Sequence, residues 1–293
     1  MKNKLLVSFG FLLITLAPSL FSSDLDEIKK RGELRHIGVP YSNFVSGLED
    51  GLDVEIVKGF AKHLGLKYKF VASSWSSEIG DLTGQNVAFN GNSVAFLEKV
   101  EIKGDLIANG MTVLDWRKEV INFSKPTFPS GIWLLAKADS IITPIKPTDS
   151  IEKDITLVKK SLSGRSLLAI ENTCLDPKLY NLKETTEANI ILEKNEKLDP
   201  INLIPMVMKN IADTALADFP DALVALEKWP GEVKVIGSIS QKQTMATAFR
   251  KTSPELLAEF NKYLEKIRND GSYNKLVKKY YPDVFDYYGD FFK

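Results

Sequence analysis

Residues 110–126, GMTVLDWRKEVINFSKP, decide the reading of this chain, because they set one arginine in a turn between an apolar strand and a short amphipathic run. The five residues before it, 105–109 (DLIAN), predict a short buried strand. Thr112, Asp115 and Arg117 then fall where a parallel sheet presents its carboxyl edge, the place where open α/β sheets bind ligands. A guanidinium there offers five donors in a rigid fork that fits a carboxylate or phosphate, and Thr112 adds another. An equally simple reading makes Arg117 a surface charge paired with Asp115 or Glu119.

Upstream, residues 34–39 (LRHIGV) predict a strand. Ile56, Val57, Phe60 and Leu64 recur at helical spacing, with Asp53 as a cap and Gly65 as a stop, and residues 68–72 (YKFVA) alternate as a second strand. Strand, helix, strand is a βαβ unit, which implies a mostly parallel sheet. Residues 80–91 are rich in Gly and Asn and read as a hairpin or an irregular excursion. Downstream, the apolar run 132–136 (IWLLA) precedes a proline-marked change at 144 and 147. A second α/β series follows: helix 150–162, strands 167–170 and 189–192, helix 203–208, strand 214–218, helix 221–228 and strand 233–236. Residues 245–249 predict one more strand, and Ser253 caps a helix that opens at Pro254 and stops at Gly271.

This order implies an α/β fold of two lobes, the second inserted into the first and joined to it by two crossing strands that act as a hinge. Residues 24–137 form the first part of lobe one, 138–237 the inserted lobe, and 238–293 the return segment. One continuous doubly wound domain is the competing arrangement. A closable cleft would bring Arg117 and Thr112 on one wall to Asp218 on the other, opposite charges that suit a zwitterion. Asp218 equally suits a helix N-cap ahead of Pro220. Residues 171–174 (ENTC) offer backbone donors after a strand, and Tyr41, Phe44, Trp75 and Trp116 are candidate aromatic walls.

Composition narrows the class. Lys2 and Lys4, an apolar run over 5–17 and the small residues 19–23 have the pattern of a secretory signal peptide, residues 1–23, cleaved after Ser19 or nearer Ser23. That run is shorter than the roughly 20 residues that span a bilayer, so no stable membrane insertion is expected after cleavage. The 38 basic and 38 acidic residues are dispersed and exclude a nucleic-acid face. The only cysteine, Cys174, forms no intrachain disulfide, so an exported chain must rely on its core. Catalytic patterns are poor: His36 lies inside a strand, His63 near a helix end, and no metal-ligand spacing or glycine-rich nucleotide motif is present. No cofactor, no metal and no enzymatic activity are expected.

The segments ELRHIGV (33–39), GLDVEIVKGFAKHLG (51–65), GDLIANGMTVLDWRKEVINFSKP (104–126), ALADFPDAL (215–223) and NDGSYNKLVKKYYPD (269–283) resemble the bacterial extracellular solute-binding proteins of family 3. Members are periplasmic receptors of ABC importers for polar amino acids. The resemblance implies the type II periplasmic binding protein fold, a periplasmic monomer, capture of an amino acid by lobe closure, and delivery to an ABC permease. It places Arg117 on the ligand α-carboxylate, with Gly110 and Thr112 beside it. Asp218 falls on the α-amino group, Trp75 and Tyr41 at the aromatic wall, and Thr173 in the second-lobe turn. Asn172, Thr173 and Cys174 replace the usual glycine-threonine turn there, and Val39 stands where some members carry an acid. Residues 81–100 exceed the common family length. The fold is also similar to periplasmic cyclohexadienyl dehydratases, in which an acidic catalytic residue falls near Asp221, and to sensory lobes.

Overall fold

The structure, a computed structural model, describes residues 23–293 apart from 48, 49, 92, 196 and 197. The signal peptide read at residues 1–23 lies, up to residue 22, outside the described residues. Among them, no helix is long and apolar enough to cross a membrane.

The chain runs through α1 (Asp24–Arg31), β1 (Glu33–Gly38), α2 (Leu52–His63), β2 (Lys67–Ala72), α3 (Glu78–Thr83), the hairpin β3 (Gln85–Phe89) and β4 (Val94–Lys99), β5 (Leu106–Ile107), α4 (Asp115–Val120) and β6 (Ile121–Phe123). It crosses through β7 (Phe128–Ser130) into β8 (Ile132–Lys137), α5 (Ile151–Lys160), β9 (Ser166–Ile170), α6 (Leu182–Thr185), β10 (Asn189–Glu193), α7 (Leu203–Met208), β11 (Thr214–Asp218), α8 (Phe219–Lys228) and β12 (Val233–Ser238). It returns through β13 (Gln243–Met245) to β14 (Ala248–Arg250), α9 (Pro254–Asn269), α10 (Ser272–Tyr280) and α11 (Val284–Tyr288).

These elements build two five-stranded sheets, ordered β2-β1-β5-β14-β6 and β10-β9-β11-β8-β12. Each is parallel on one side and antiparallel on the other, because β14 and β8 enter against their neighbours. The antiparallel pair β7/β13 joins the lobes. The run 132–137, assigned from sequence to the first lobe, is instead β8 of the second sheet, between β11 and β12. Residues 245–249, read as one strand, are split. Met245 ends the crossing strand β13, whereas Ala248 opens β14 in the first sheet.

The helical spacing in α2 buries Ile56, Val57 and Phe60, which share one core with Leu34, Leu106, Phe249, Phe260 and Leu264. Each such side chain contributes about 1.5–3 kcal/mol when taken from water. The second sheet has its own core of Leu134, Leu135, Leu167, Leu168, Leu216 and their neighbours. Phe219 and Leu223 of α8 reach out of that lobe into the first core, so the hinge side is packed. At the opposite end, Asp105 is fully buried before β5. It accepts from the Arg35 amide at 2.8 Å, from Arg35 Nη2 at 2.9 Å and from Arg31 Nη2, with Arg250 Nη2 at 3.8 Å. Ser253 does not use its side chain as a cap, and Asp53, inside α2, has a different task.

Candidate ligand-binding site

The turn after β5 is shaped by Gly110, whose φ of +65° is one that L side chains rarely adopt. A Cβ there would lie 2.6 Å from the Phe44 ring and 2.9 Å from Tyr41. Its amide donates to the buried Asp53 carboxylate at 2.6 Å, so Asp53 anchors this turn rather than capping α2. Burial raises the Asp53 pKa to about 7, against the pull of that hydrogen bond.

Arg117 is only 3% exposed, which removes the surface-charge reading; Asp115 pairs with Lys118 instead. Its Nη1 donates to the Thr112 carbonyl at 3.0 Å, its Cζ lies 5.3 Å over the Trp116 ring, and its buried Nε has no hydrogen-bond partner. The carboxyl of Glu78, at the start of α3, accepts from Asn109 at 2.7 Å. Burial raises the Glu78 pKa to about 7, opposed by the attraction of Arg117.

Across the cleft, Asp218 ends β11 and caps α8, accepting from the Phe219 amide at 2.8 Å. It also accepts from Ser130 at 2.5 Å, from Cys174 Sγ at 3.2 Å and from Thr112 Oγ1 at 3.3 Å, the last a direct link between the lobes. Thr112 therefore touches both charges, Arg117 through its carbonyl and Asp218 through its hydroxyl. Desolvation raises the Asp218 pKa, and these hydrogen bonds oppose it. Burial and the neighbouring Asp218 push the Cys174 thiol well up, so it serves as a donor to that carboxylate rather than as a nucleophile.

Trp75 and Tyr41 meet edge to face at 5.7 Å, and Trp75 Nε1 donates to the Leu198 carbonyl of the second lobe at 3.1 Å. The Ser42 amide donates to Asp199 at 3.0 Å, a further link between the lobes. Thr173 is spent on its own turn: its hydroxyl donates to Ile170 O at 2.9 Å and accepts from Leu175 N at 3.0 Å. The structure thus brings Arg117, Thr112, Gly110, Asp218, Trp75 and Tyr41 to one interlobe region and leaves the Thr173 side chain internally satisfied. A cavity of about 240 Å³ is lined by Trp75, Ser76, Ile170 and Asn172; of the six residues just named, Trp75 alone lines it.

Sequence reasoning missed Glu78 beside Arg117; an acid closing the serine-rich run 73–77 was the available signal. Asp221, to which the dehydratase resemblance pointed, is 1% exposed, and only the hydroxyls of Ser42 and Tyr41 face its carboxyl. Burial, then the charges of Asp199 and Asp218, push its pKa well above the carboxylate range. His36 is no base: its ring lies between the Ala108 carbonyl at 2.6 Å and the Tyr68 hydroxyl at 2.9 Å, and burial lowers its pKa to about 4.

The chain is similar to known proteins. The chain is 26% identical over 242 residues to membrane-bound lytic murein transglycosylase F of Desulfosudis oleivorans, covering 81% of this chain but only 46% of that protein. It is 25% identical to the probable amino-acid-binding protein YxeM of Bacillus subtilis, covering 86% of each. Among solved structures it resembles the ancestral amino acid-binding protein AncCDT-1, a precursor of cyclohexadienyl dehydratase. That likeness has a TM-score of 0.67 and 27% identity, covering 88% of this chain and 100% of that one. A second structure of AncCDT-1 is described as an ancestral cationic amino acid solute-binding protein, with a TM-score of 0.61 over the same coverage. These relatives correct the expectation that the chain is no enzyme, since a lytic transglycosylase and a dehydratase precursor are among them. The physical reason is that poverty in His and Cys does not exclude proton transfer where burial lifts carboxyl groups such as Glu78 toward neutrality. Residues 37–283 match the bacterial extracellular solute-binding proteins, family 3, and the chain belongs to that family.

Proposed function

We propose that the chain captures a free amino acid by closing its two lobes, with the ligand carboxylate on Arg117 and its ammonium on Asp218, and passes it to an ABC permease from the periplasm as a monomer. The lobes of this reading are residues 23–130 with 243–293, and residues 131–242. The observation that carries it is Thr112, which joins the buried guanidinium and the buried carboxylate across the lobe boundary. A cationic side chain is the favoured cargo. Arg117 shares this region with four buried or largely buried acids, Glu78, Asp199, Asp218 and Asp221, so a ligand of net positive charge offsets their desolvation. The description of AncCDT-1 as a cationic amino acid binder points the same way.

The test is a melting-temperature panel of the common amino acids, in which L-arginine or L-lysine stabilises the protein in a concentration-dependent way. Arg117→Ala should weaken that ligand by several kcal/mol, because a desolvated bidentate pair is lost. A panel in which only sugars or peptides shift the melting temperature would overturn the reading.

A second reading rests on Asp221. A carboxyl whose pKa burial raises, beside a site for a carboxylate, suits a general acid acting on a small carboxylic acid. Incubation with amino acids and with a prephenate-type ring acid, followed by mass spectrometry, checks it: conversion that falls in Asp221→Asn supports catalysis, and intact compounds throughout reject it.

A further inference from the structure

The β3/β4 hairpin reaches from the first lobe to the second at a place separate from the Arg117–Thr112–Asp218 contact. Phe89 at the end of β3 stacks on Trp116, with ring centroids 5.8 Å apart and planes inclined by 16°. Trp116 is 7% exposed and carries the Arg117 guanidinium over its ring. The opposite lobe reaches the same cluster. Leu179, in the turn Pro177–Tyr180 that follows β9, packs against the cluster that contains Trp116, as Phe89 and Val94 do, and also against the core of its own sheet. At the hairpin tip, a Cβ on Gly91 would lie 4.0 Å from Lys178 Cβ.

We infer that the hairpin is a second clasp between the lobes, in which Leu179 seats on the Phe89–Trp116 stack and fixes the guanidinium of Arg117 in place when the lobes are shut. Leu179 and Phe89 pack against one cluster, and Trp116, a member of it, is the surface against which Arg117 rests. Phe89 and Leu179 act through Trp116 and are positioning residues. Apolar contact of this kind has no partner in the open form, so its loss acts on reopening and release rather than on encounter. The inference rests on the reading of Arg117 as the ligand anchor only for its effect on release; the clasp itself is a statement about two lobes in contact.

The test separates the two. A Gly91→Cys/Lys178→Cys chain has its β-carbons within the 3.5–4.5 Å range of disulfides, and the native Cys174 is buried and stays out of exchange. Mild oxidation without any amino acid should give the intramolecular crosslink in most molecules, read on a non-reducing gel and by peptide mass. A folded double variant that stays uncrosslinked overturns the clasp. Gly91 has a φ of +102°, unfavourable for cysteine, so small-angle scattering provides an independent measure. Leu179→Asp should raise the radius of gyration above that of the unmodified chain, and superimposable curves overturn the clasp. With L-arginine as the probe, Leu179→Asp and Phe89→Ala should each release it about tenfold faster at nearly unchanged association rate, and Leu179→Met should restore the slow release. Equal release rates in all variants overturn the positioning role. Absence of any L-arginine binding by the unmodified chain, with the crosslink formed, overturns the proposed cargo and leaves the clasp standing.

Discussion

Asp105 and Asp221 are both buried carboxyl groups, and they are treated in opposite ways. Asp105 receives hydrogen bonds from the Arg35 backbone and from two guanidinium groups, with a third nearby, and ties α1, β1 and β14 to the start of β5. Asp221 has no cationic partner: only the hydroxyls of Ser42 and Tyr41 face it, and the charges that act on it are those of two more aspartates, Asp199 and Asp218. A compensated buried charge is architecture; an uncompensated one is energetically unfavourable, and such groups concentrate where a protein handles ligands or protons.

The contrast predicts mutational effects of opposite sign. Asp105→Ala leaves three partly exposed arginines without their shared, fully buried counter-charge and should cost about 3 kcal/mol in urea unfolding, the largest change expected outside the core. Asp221→Asn should leave stability unchanged or raise it, the gain growing as pH rises above the ordinary carboxylate range. Equal losses in the two variants would erase the distinction.

Glu78 sharpens it with a pH profile. Its pKa is about 7 in the folded chain against 4.5 ordinarily, so between those values the folded form holds a proton that the unfolded form has released. Stability from this group therefore declines as pH rises through that window and is flat above it, a loss of up to about 3 kcal/mol that Glu78→Gln should abolish. His36 has the reverse sign. Its pKa is about 4 against 6.5, so the unfolded chain takes the proton first and stability falls as pH drops below 6.5. His36→Gln should flatten that acid limb, measured by the same urea titrations, after allowing for its lost contacts to Ala108 and Tyr68. Smallest of all is Asp115→Ala: the carboxylate is almost fully exposed, its pair with Lys118 is solvated, and no change in melting temperature is expected.

What could be read in the sequence followed from local rules. The α2 spacing, the strand ending at Asp218 and the arginine turn after residues 105–109 all carried periodic or capping signals, and each marked segment has its structural counterpart. The boundary at Lys137 was misplaced because an apolar run such as IWLLA says that a strand is buried, not in which sheet. Residues 245–249 misled for a related reason: alternation continues through Ala246 and Thr247 while the chain changes partners. Glu78, and the thiol of Cys174 as a donor, were illegible because their meaning lies in neighbours more than thirty residues away, Arg117 for Glu78 and Asp218 for Cys174, and in a desolvation that no spacing encodes.

The place of β14 has a consequence for how the molecule is made. It lies between β5 and β6 in the first sheet, yet β6 ends at Phe123 and β14 begins only at Ala248. Strands β1, β2 and β5 can associate early, but β6 has no neighbour in that sheet until the whole inserted lobe has been synthesised. The second sheet, by contrast, is complete once residue 238 has emerged. Assembly from the N-terminus is therefore out of step with the order of the chain: the later lobe can finish first, while the earlier one waits with an exposed apolar edge. Such a nascent first lobe depends on staying unfolded or shielded until β14, at the head of the last 46 residues, is available.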